Sequence, residues 1–263
     1  NTANIASVFH GKPSNAVEEI KSKYDKHLRE CWDTPEGSYL VGCDADGIQL
    51  RVLADYMWRY FDADMYAKAI MEGKKEDETD IHNMNKNALG VQGGTRDMAK
   101  TFIYSWLLGA GAAKTASIMN VSVKEATAAR ARFEQNIDGL SQLKRKLVPY
   151  IGEQGYFKGY DGRKVKVPSE YKTLAGMLQS GESVLMKHTL LNFHAKARAE
   201  GINFKMTAFV HDEYQIEVIG SMEEAEHMGK LVATTMSETG EELGFKIPTP
   251  GSYGIGRNWC DTH

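Results

Sequence analysis

The chain has 263 residues, 25% of them charged, and a formal net charge of −3 at pH 7. That length can bury one large core or two smaller ones, and no apolar run approaches the ~18 residues of a membrane span. Cys31, Cys43 and Cys260 are odd in number and irregular in spacing, which argues against a zinc site or a disulfide framework and fits a reducing, cytosolic setting. The near-neutral charge leaves nucleic acid open, because binding it needs a local basic stripe rather than a basic average. No secretory signal opens the chain and no initiator Met precedes Asn1, so the expectation is a processed piece or the downstream part of something longer.

Asn1 to Gly11 reads as irregular or short-stranded, and Ser14 as the N-cap of a helix with Val17, Ile20, Tyr24, Leu28 and Cys31 on one face. Tyr39 to Cys43 is a short apolar run, predicted to be a buried strand that delivers Asp44 at its end; Asp44 to Gly47 then turns the chain into a helix from Ile48. Further helices are predicted over Asp64–Glu72, Ile81–Leu89, Ser122–Phe133 (Ser122 and Glu125 forming a capping box) and Leu140–Ile151. Tyr156 to Val167 carries a hairpin signature around Asp161-Gly162, and a long helix follows from Ser169 to about Ala199, with Gly176 and Gly181 as candidate close-packing points. Asn203–Val210 and Tyr214–Val218 read as strands joined by His211-Asp212-Glu213, followed by a helix from Met222 to about Leu243. The tail from Gly251 reads as turn-rich, anchored by Trp259. The fold class expected from this order is α+β: a small antiparallel sheet backed by helices, with an α-helical insertion between two strand ends.

Between Gly94 and Gly109 lies the helix on which the functional reading turns. Thr95 is a plausible N-cap, and Arg96, Lys100 and Tyr104 recur at i, i+4, i+8, within a stripe about 80° wide. Cations in a first turn oppose the helix macrodipole unless an anion is bound there, so a polyanion on Arg96 and Lys100 with a base or sugar against Tyr104 suits the stripe. An amphipathic helix with solvated Arg and Lys and a core Tyr accounts for the same spacing. Asp44 and Asp212 each end an apolar strand. If those strands are neighbours the pair makes a hard oxygen site for Mg²⁺, with the Ala45 carbonyl as a third ligand; turn aspartates that merely cap backbone N–H groups are the alternative. His82 and Arg163 are single residues that could equally be surface decoration. Gln179, inside an apolar helical stretch, would need partners if buried, and Glu213 could do no more than orient Asp212.

Taken together these stretches resemble the palm and fingers of a family A (DNA polymerase I-like) DNA polymerase, of the bacteriophage replicative branch. Asp44-Ala45-Asp46-Gly47-Ile48-Gln49-Leu50-Arg51 resembles motif A, Arg96-x-x-x-Lys100-x-x-x-Tyr104 with Gly109 resembles motif B, and His211-Asp212-Glu213 resembles motif C. Asp80-Ile81-His82, Asp161 to Val165, Leu178-Gln179-Ser180 and Gly256 to Trp259 follow in the family's order, and Asn1 to Ile5 resembles the segment where the thumb rejoins the palm.

The resemblance implies an antiparallel palm sheet in two parts (residues 1–60 and 151–263) around α-helical fingers (61–150, with the motif B helix over 95–110). The thumb, the 3′–5′ exonuclease domain and the upstream palm strands would lie in another part of the protein or in a separate subunit. The implied activity is dNTP addition to a primer 3′-OH on a DNA template in phage replication, in the host cytoplasm, with two Mg²⁺ ions on Asp44, Asp212 and the Ala45 carbonyl. His82, Arg96 and Lys100 would grip the triphosphate, Lys100 also as proton donor. Tyr104 and Gln49 would meet the sugar and base, and Arg163, Gln179 and His211 the primer–template, while a processivity factor is left open.

Departures from the family pattern concern the sugar. Gln49 stands where motif A has Glu, Leu108 where the family has the Tyr that pairs with it, Asp46 where motif A has Ser, and Ala175 where an Asn is usual. Two further readings stay open: a single-subunit RNA polymerase, towards which Gln49 leans, and a catalytically silent accessory subunit, against which the presence of Asp44, Asp212 and Lys100 argues.

Overall fold

The computed structural model describes residues 27–262. The helix expected from Ser14 and the Asn1–Ile5 segment therefore lie almost wholly outside the described residues. In chain order the elements are β1 (Ser38–Ala45), α1 (Ile48–Phe61), α2 (Met65–Glu72), α3 (Ile81–Leu89), α4 (Arg96–Leu107), α5 (Ala112–Met119) and α6 (Val123–Asn136). A short α7 (Leu140–Gln142) passes through a π-helical stretch (Leu143–Leu147) into α8 (Val148–Gln154). There follow the small strands β2 (Tyr156–Lys158) and β3 (Lys164–Lys166), α9 (Glu170–Ala199), β4 (Phe204–Val210), β5 (Glu213–Ile219), α10 (Met222–Glu242) and β6 (Gly251–Gly256). The backbone gathers into two compact units. One comprises residues up to Ile48, Leu185–Leu243 and Thr249–His263, the other Gln49–Val184 with Gly244–Pro248.

In the first unit, four strands form an antiparallel sheet in the order β4-β5-β1-β6. The two central strands are mostly buried, whereas β4 alternates in exposure as an edge strand does. Tyr214 hydrogen-bonds the Met186 carbonyl of α9 through its hydroxyl, and Phe193 packs edge-on against its ring at 5.3 Å. Helix α10 begins at a full capping box, Ser221 with Glu224, and buries Met228, Val232 and Met236. The tail does more than turn: Gly251–Gly256 pairs with β1 along its length, correcting the turn-rich expectation. Beyond it the Arg257 guanidinium donates to the carbonyls of Ser38 (2.9 Å), Thr34 (3.1 Å) and Pro35 (3.0 Å). Trp259 is buried to 1% exposure, the anchor expected of it.

The second unit is helical apart from the β2–β3 hairpin. Asp55 on α1, fully buried, accepts hydrogen bonds from the Tyr160 hydroxyl (2.7 Å), the Lys246 N–H (2.6 Å) and Arg59 (3.0 Å). Those bonds satisfy a charge that would otherwise be costly to bury, and they fix the loop of the β2–β3 hairpin, in which Tyr160 lies. Tyr160 also stacks on Phe245 at 4.0 Å. Gly181 on α9 is a true close-packing point, since a Cβ there would lie 2.8 Å from Cγ1 of Val52 on α1; Gly176 faces open space and is not one. Among the described residues no helix is long and apolar enough to cross a membrane.

Candidate active site

The strand ends come first. Strands β1 and β5 are neighbours, as the metal reading required, and their register sets Asp44 opposite Glu213. One step further the Ala45 N–H donates to the Asp212 carbonyl at 3.0 Å, so Asp44, Ala45 and Asp212 are fixed at one end of the sheet by backbone hydrogen bonds. The β4–β5 hairpin has a two-residue turn, His211-Asp212, because Val210 already pairs with Glu213. His211 has φ +57°, a conformation that side-chain-bearing residues seldom adopt outside tight turns. The imidazole is exposed.

Asp46 accepts a hydrogen bond from Ser252 at 2.7 Å. Burial, with Asp44 and then Asp46 adding negative potential, pushes the Cys43 thiol up to about 12. Glu213 has a structural role. Its carboxylate accepts from Trp259 Nε1 at 2.6 Å and from Gln215 Nε2 at 2.5 Å, tying the tail to the residue beside Asp212. Among the described residues no group of three or more His, Cys, Asp and Glu side chains forms a ready-made metal cage. Two carboxylates with a strand-end carbonyl nevertheless suit Mg²⁺, which is usually held by one or two carboxylates, water and substrate phosphates rather than by an all-protein cage.

The cationic stripe belongs to the other unit. Thr95 caps α4 by accepting from the Met98 N–H. Ala99, Phe102, Ile103, Trp106 and Leu107 form the buried face of that helix at i, i+3, i+4, i+7, i+8, and Phe102 and Trp106 meet Phe133 edge-on at 5.1 and 5.4 Å. Tyr104 falls outside that face and is half-buried, its ring 6.3 Å from that of His82 on α3. It is not the core tyrosine of the plain amphipathic reading. Lys100 is exposed.

Arg96 already has an anion. Its Nε donates to Asp80 Oδ2 at 2.8 Å, while Asp80 Oδ1 accepts from the Asn83 N–H at 3.0 Å and so caps α3. Asp80 thus supplies one countercharge to the first turn of α4, a partner not foreseen from the sequence. Burial alone would raise the Asp80 carboxyl, but the bonds from Arg96 and Asn83 hold it below its usual range. His82 is 8% exposed and its Nδ1 has no hydrogen-bond partner. Burial, reinforced by Arg96 and Lys100 and opposed by Asp80 and Asp97, pushes its pKa down to about 4, so the ring is neutral at pH 7. His82, Arg96, Lys100 and Tyr104 are thus brought together.

Of the remaining residues, Arg163 is exposed and ion-paired with Asp161 two residues before it. Gln179 is exposed, not buried, so its amide needs no protein partner. Leu108 ends α4 at 57% exposure and is no core residue. Gln49 finds a different partner: its Nε2 donates to Glu182 Oε2 at 2.9 Å, and Glu182 is 7% exposed. Sequence reasoning passed over Asp80 as a partner and Glu182 altogether. Asp80, three residues before Asn83, carries an N-cap signal; Glu182 carries none, because its neighbours Gln179, Ser180, Gly181 and Ser183 read as a polar, exposed segment.

The family model for DNA polymerase family A matches residues 3–261. The chain belongs to DNA polymerase family A. It is 30% identical over 292 residues to the DNA-directed DNA polymerase of Enterobacteria phage T3, spanning 100% of this chain and 40% of that protein. It is also 30% identical over 296 residues to the DNA-directed DNA polymerase of Escherichia phage T7, with the same shares. DNA polymerase I of Aquifex aeolicus matches at 24% identity over 95% of this chain and 44% of that protein. The chain therefore spans less than half the length of these family A relatives. Among solved structures, the polymerase domain of Pol1 from M. smegmatis, in complex with DNA primer-template and dNTP, superposes with a TM-score of 0.77 at 20% identity, covering 92% of this chain and 44% of that one. Mixed helix and antiparallel sheet is the architecture they have in common.

Proposed function

We propose that this chain carries the polymerising centre of a DNA-directed DNA polymerase, adding dNTPs to a primer 3′-OH on a DNA template. The observation that carries the reading is the β1–β5 register, which brings Asp44 and Asp212 to one sheet end with the Ala45 N–H bonded to the Asp212 carbonyl. Asp44, Asp212 and the Ala45 carbonyl would hold two Mg²⁺ ions, whose chemistry when bound is to stabilise the attacking and leaving oxygens of an in-line phosphoryl transfer. Arg96 and Lys100 neutralise triphosphate charge, Lys100 would protonate the departing pyrophosphate, and neutral His82 offers a ring nitrogen rather than a charge. Tyr104 packs against the sugar and base and Gln49 lines the sugar. Arg163, Gln179 and His211 contact primer–template, as positioning contacts that carry no base sequence. Glu213, through Trp259, and Leu108 play supporting parts.

In this reading the strands β1, β4, β5 and β6 form the palm, and the helices of residues 61–150 the fingers. Thumb and exonuclease functions belong to a further portion of a larger replicative polymerase, in keeping with the 40% of the phage T3 and T7 polymerases that the chain spans. Primer extension tests it: Asp212→Asn should lower incorporation at least ~10³-fold while the melting temperature stays near that of the unsubstituted protein. Unchanged extension would overturn the metal assignment. Comparing dNTP with rNTP substrates separates this reading from an RNA polymerase, which would use rNTPs at an equal or higher rate.

A further inference from the structure

Gln49 and Glu182 make a pair that neither chain position announces. Gln49 is the second residue of α1, half-buried, and Glu182 lies near the middle of α9. Their helices touch one turn along α1, where Gly181 admits Val52 so closely that a Cβ would sit 2.8 Å from its Cγ1. That approach brings Glu182 Oε2 within 2.9 Å of Gln49 Nε2.

Burying a carboxylate, here between the buried Met177 and Leu178 on one side of the sequence and Val184 and Leu185 on the other, costs free energy that an aliphatic side chain would not. What the carboxylate adds is orientation. An ionised carboxylate only accepts, so it takes the N–H end of the Gln49 amide and fixes which way that amide faces. It also removes rotamer freedom from a long side chain. Leu108, exposed and apolar, can do neither.

We propose that Glu182 is a positioning residue for sugar selection. Its carboxylate holds the Gln49 amide as a rigid stop against a ribose 2′-hydroxyl, so that the group orienting that stop comes from α9 and not from α1. The inference rests on the reading above in which Gln49 lines the nucleotide sugar.

Single-nucleotide primer extension with dNTP and with the matching rNTP, across the unsubstituted protein, Glu182→Ala, Glu182→Gln, Gln49→Ala, Gln49→Glu and the exchange Gln49→Glu/Glu182→Gln, tests it. Glu182→Ala should lower the dNTP-to-rNTP ratio of kcat/KM about tenfold, the factor equivalent to about 1.4 kcal/mol of lost restraint, chiefly by admitting rNTP. Gln49→Glu alone sets two carboxylates face to face and should impair dNTP use, while the exchange restores both the hydrogen bond and the ratio. Glu182→Gln, nearly isosteric, keeps the test valid should Glu182→Ala fold poorly, and should give a smaller loss in the same direction. If Gln49→Ala relaxes selection but neither Glu182 variant changes the ratio, the inference falls alone. If the unsubstituted protein incorporates no dNTP, the parent reading falls and takes the inference with it.

Discussion

The two groups of candidate residues are held by different means. At the sheet end, Asp44, Ala45 and Asp212 are placed by main-chain register, with the Ala45 N–H on the Asp212 carbonyl and Val210 paired to Glu213 around a two-residue turn. On the helices, Arg96 and His82 are placed by side chains: Asp80 grips Arg96 and caps the helix that carries His82. A carboxylate set by register can be exchanged without disturbing the frame that presents it. A cation set by another side chain shares its fate with that partner.

That difference can be broken or sharpened by experiment. The largest effect is expected from Asp212→Asn, which separates activity from folding: extension falls at least ~10³-fold and thermal melting does not move. A parallel loss of stability would show that the carboxylate, and not the register, holds the turn. Next comes pH. His82 has its folded pKa depressed to about 4 from an ordinary 6.5, so the unfolded chain takes up that proton first as pH falls. Its stabilising contribution is complete above pH 6.5 and lost as pH drops towards 4, by up to about 3 kcal/mol at 1.36 kcal/mol per pKa unit. Asp80, also depressed, acts in the same direction at lower pH. Denaturant titrations between pH 7 and 4 should show the slope, and His82→Gln should flatten it; an unaltered slope would remove His82 as its source.

Asp80→Ala should couple what Asp212→Asn keeps apart. It takes away an N-cap and the anion that orients Arg96, so stability should fall by about 2 kcal/mol and dNTP affinity about tenfold together. Loss of only one of the two would place Arg96 under other control. The smallest effect is expected at Tyr104, where Tyr104→Phe should sharpen discrimination against dideoxynucleotides a few-fold, since the phenolic oxygen is then no longer available to replace a missing 3′-hydroxyl. An unchanged ddNTP-to-dNTP ratio would count against its placement by the sugar.

Local periodicity and capping made α4 legible: the spacing of Ala99, Phe102, Ile103, Trp106 and Leu107 is a helical signal complete within one window, and Thr95 marks its start. The strand ends were legible as types of residue. Their adjacency was not, because the β1–β5 pairing joins segments some 170 residues apart and only tertiary packing chooses it. Helix α5 escaped notice because Gly109-Ala110-Gly111 reads as a stop, whereas Gly111 is also the N-cap of the next helix. Strand β6, Gly-Ser-Tyr-Gly-Ile-Gly, has the composition of a loop and becomes a strand only because β1 offers it an edge. The exposure of Gln179 and the burial of Glu182, three positions on, invert what their surroundings imply; a helix that touches neighbours on several sides carries no single polar stripe to separate them.

The φ of +57° at His211 has a consequence for binding entropy. A non-glycine residue in that conformation stores on the order of 1 kcal/mol, released on exchange for glycine, so His211→Gly should raise the melting temperature even as it deletes the imidazole. The strain is maintained because the pairs on either side of the turn leave the backbone one arrangement. If Asp212 binds a cation as proposed, it would meet it already ordered, and the loss of conformational freedom that a mobile loop would suffer on binding would have been met during folding.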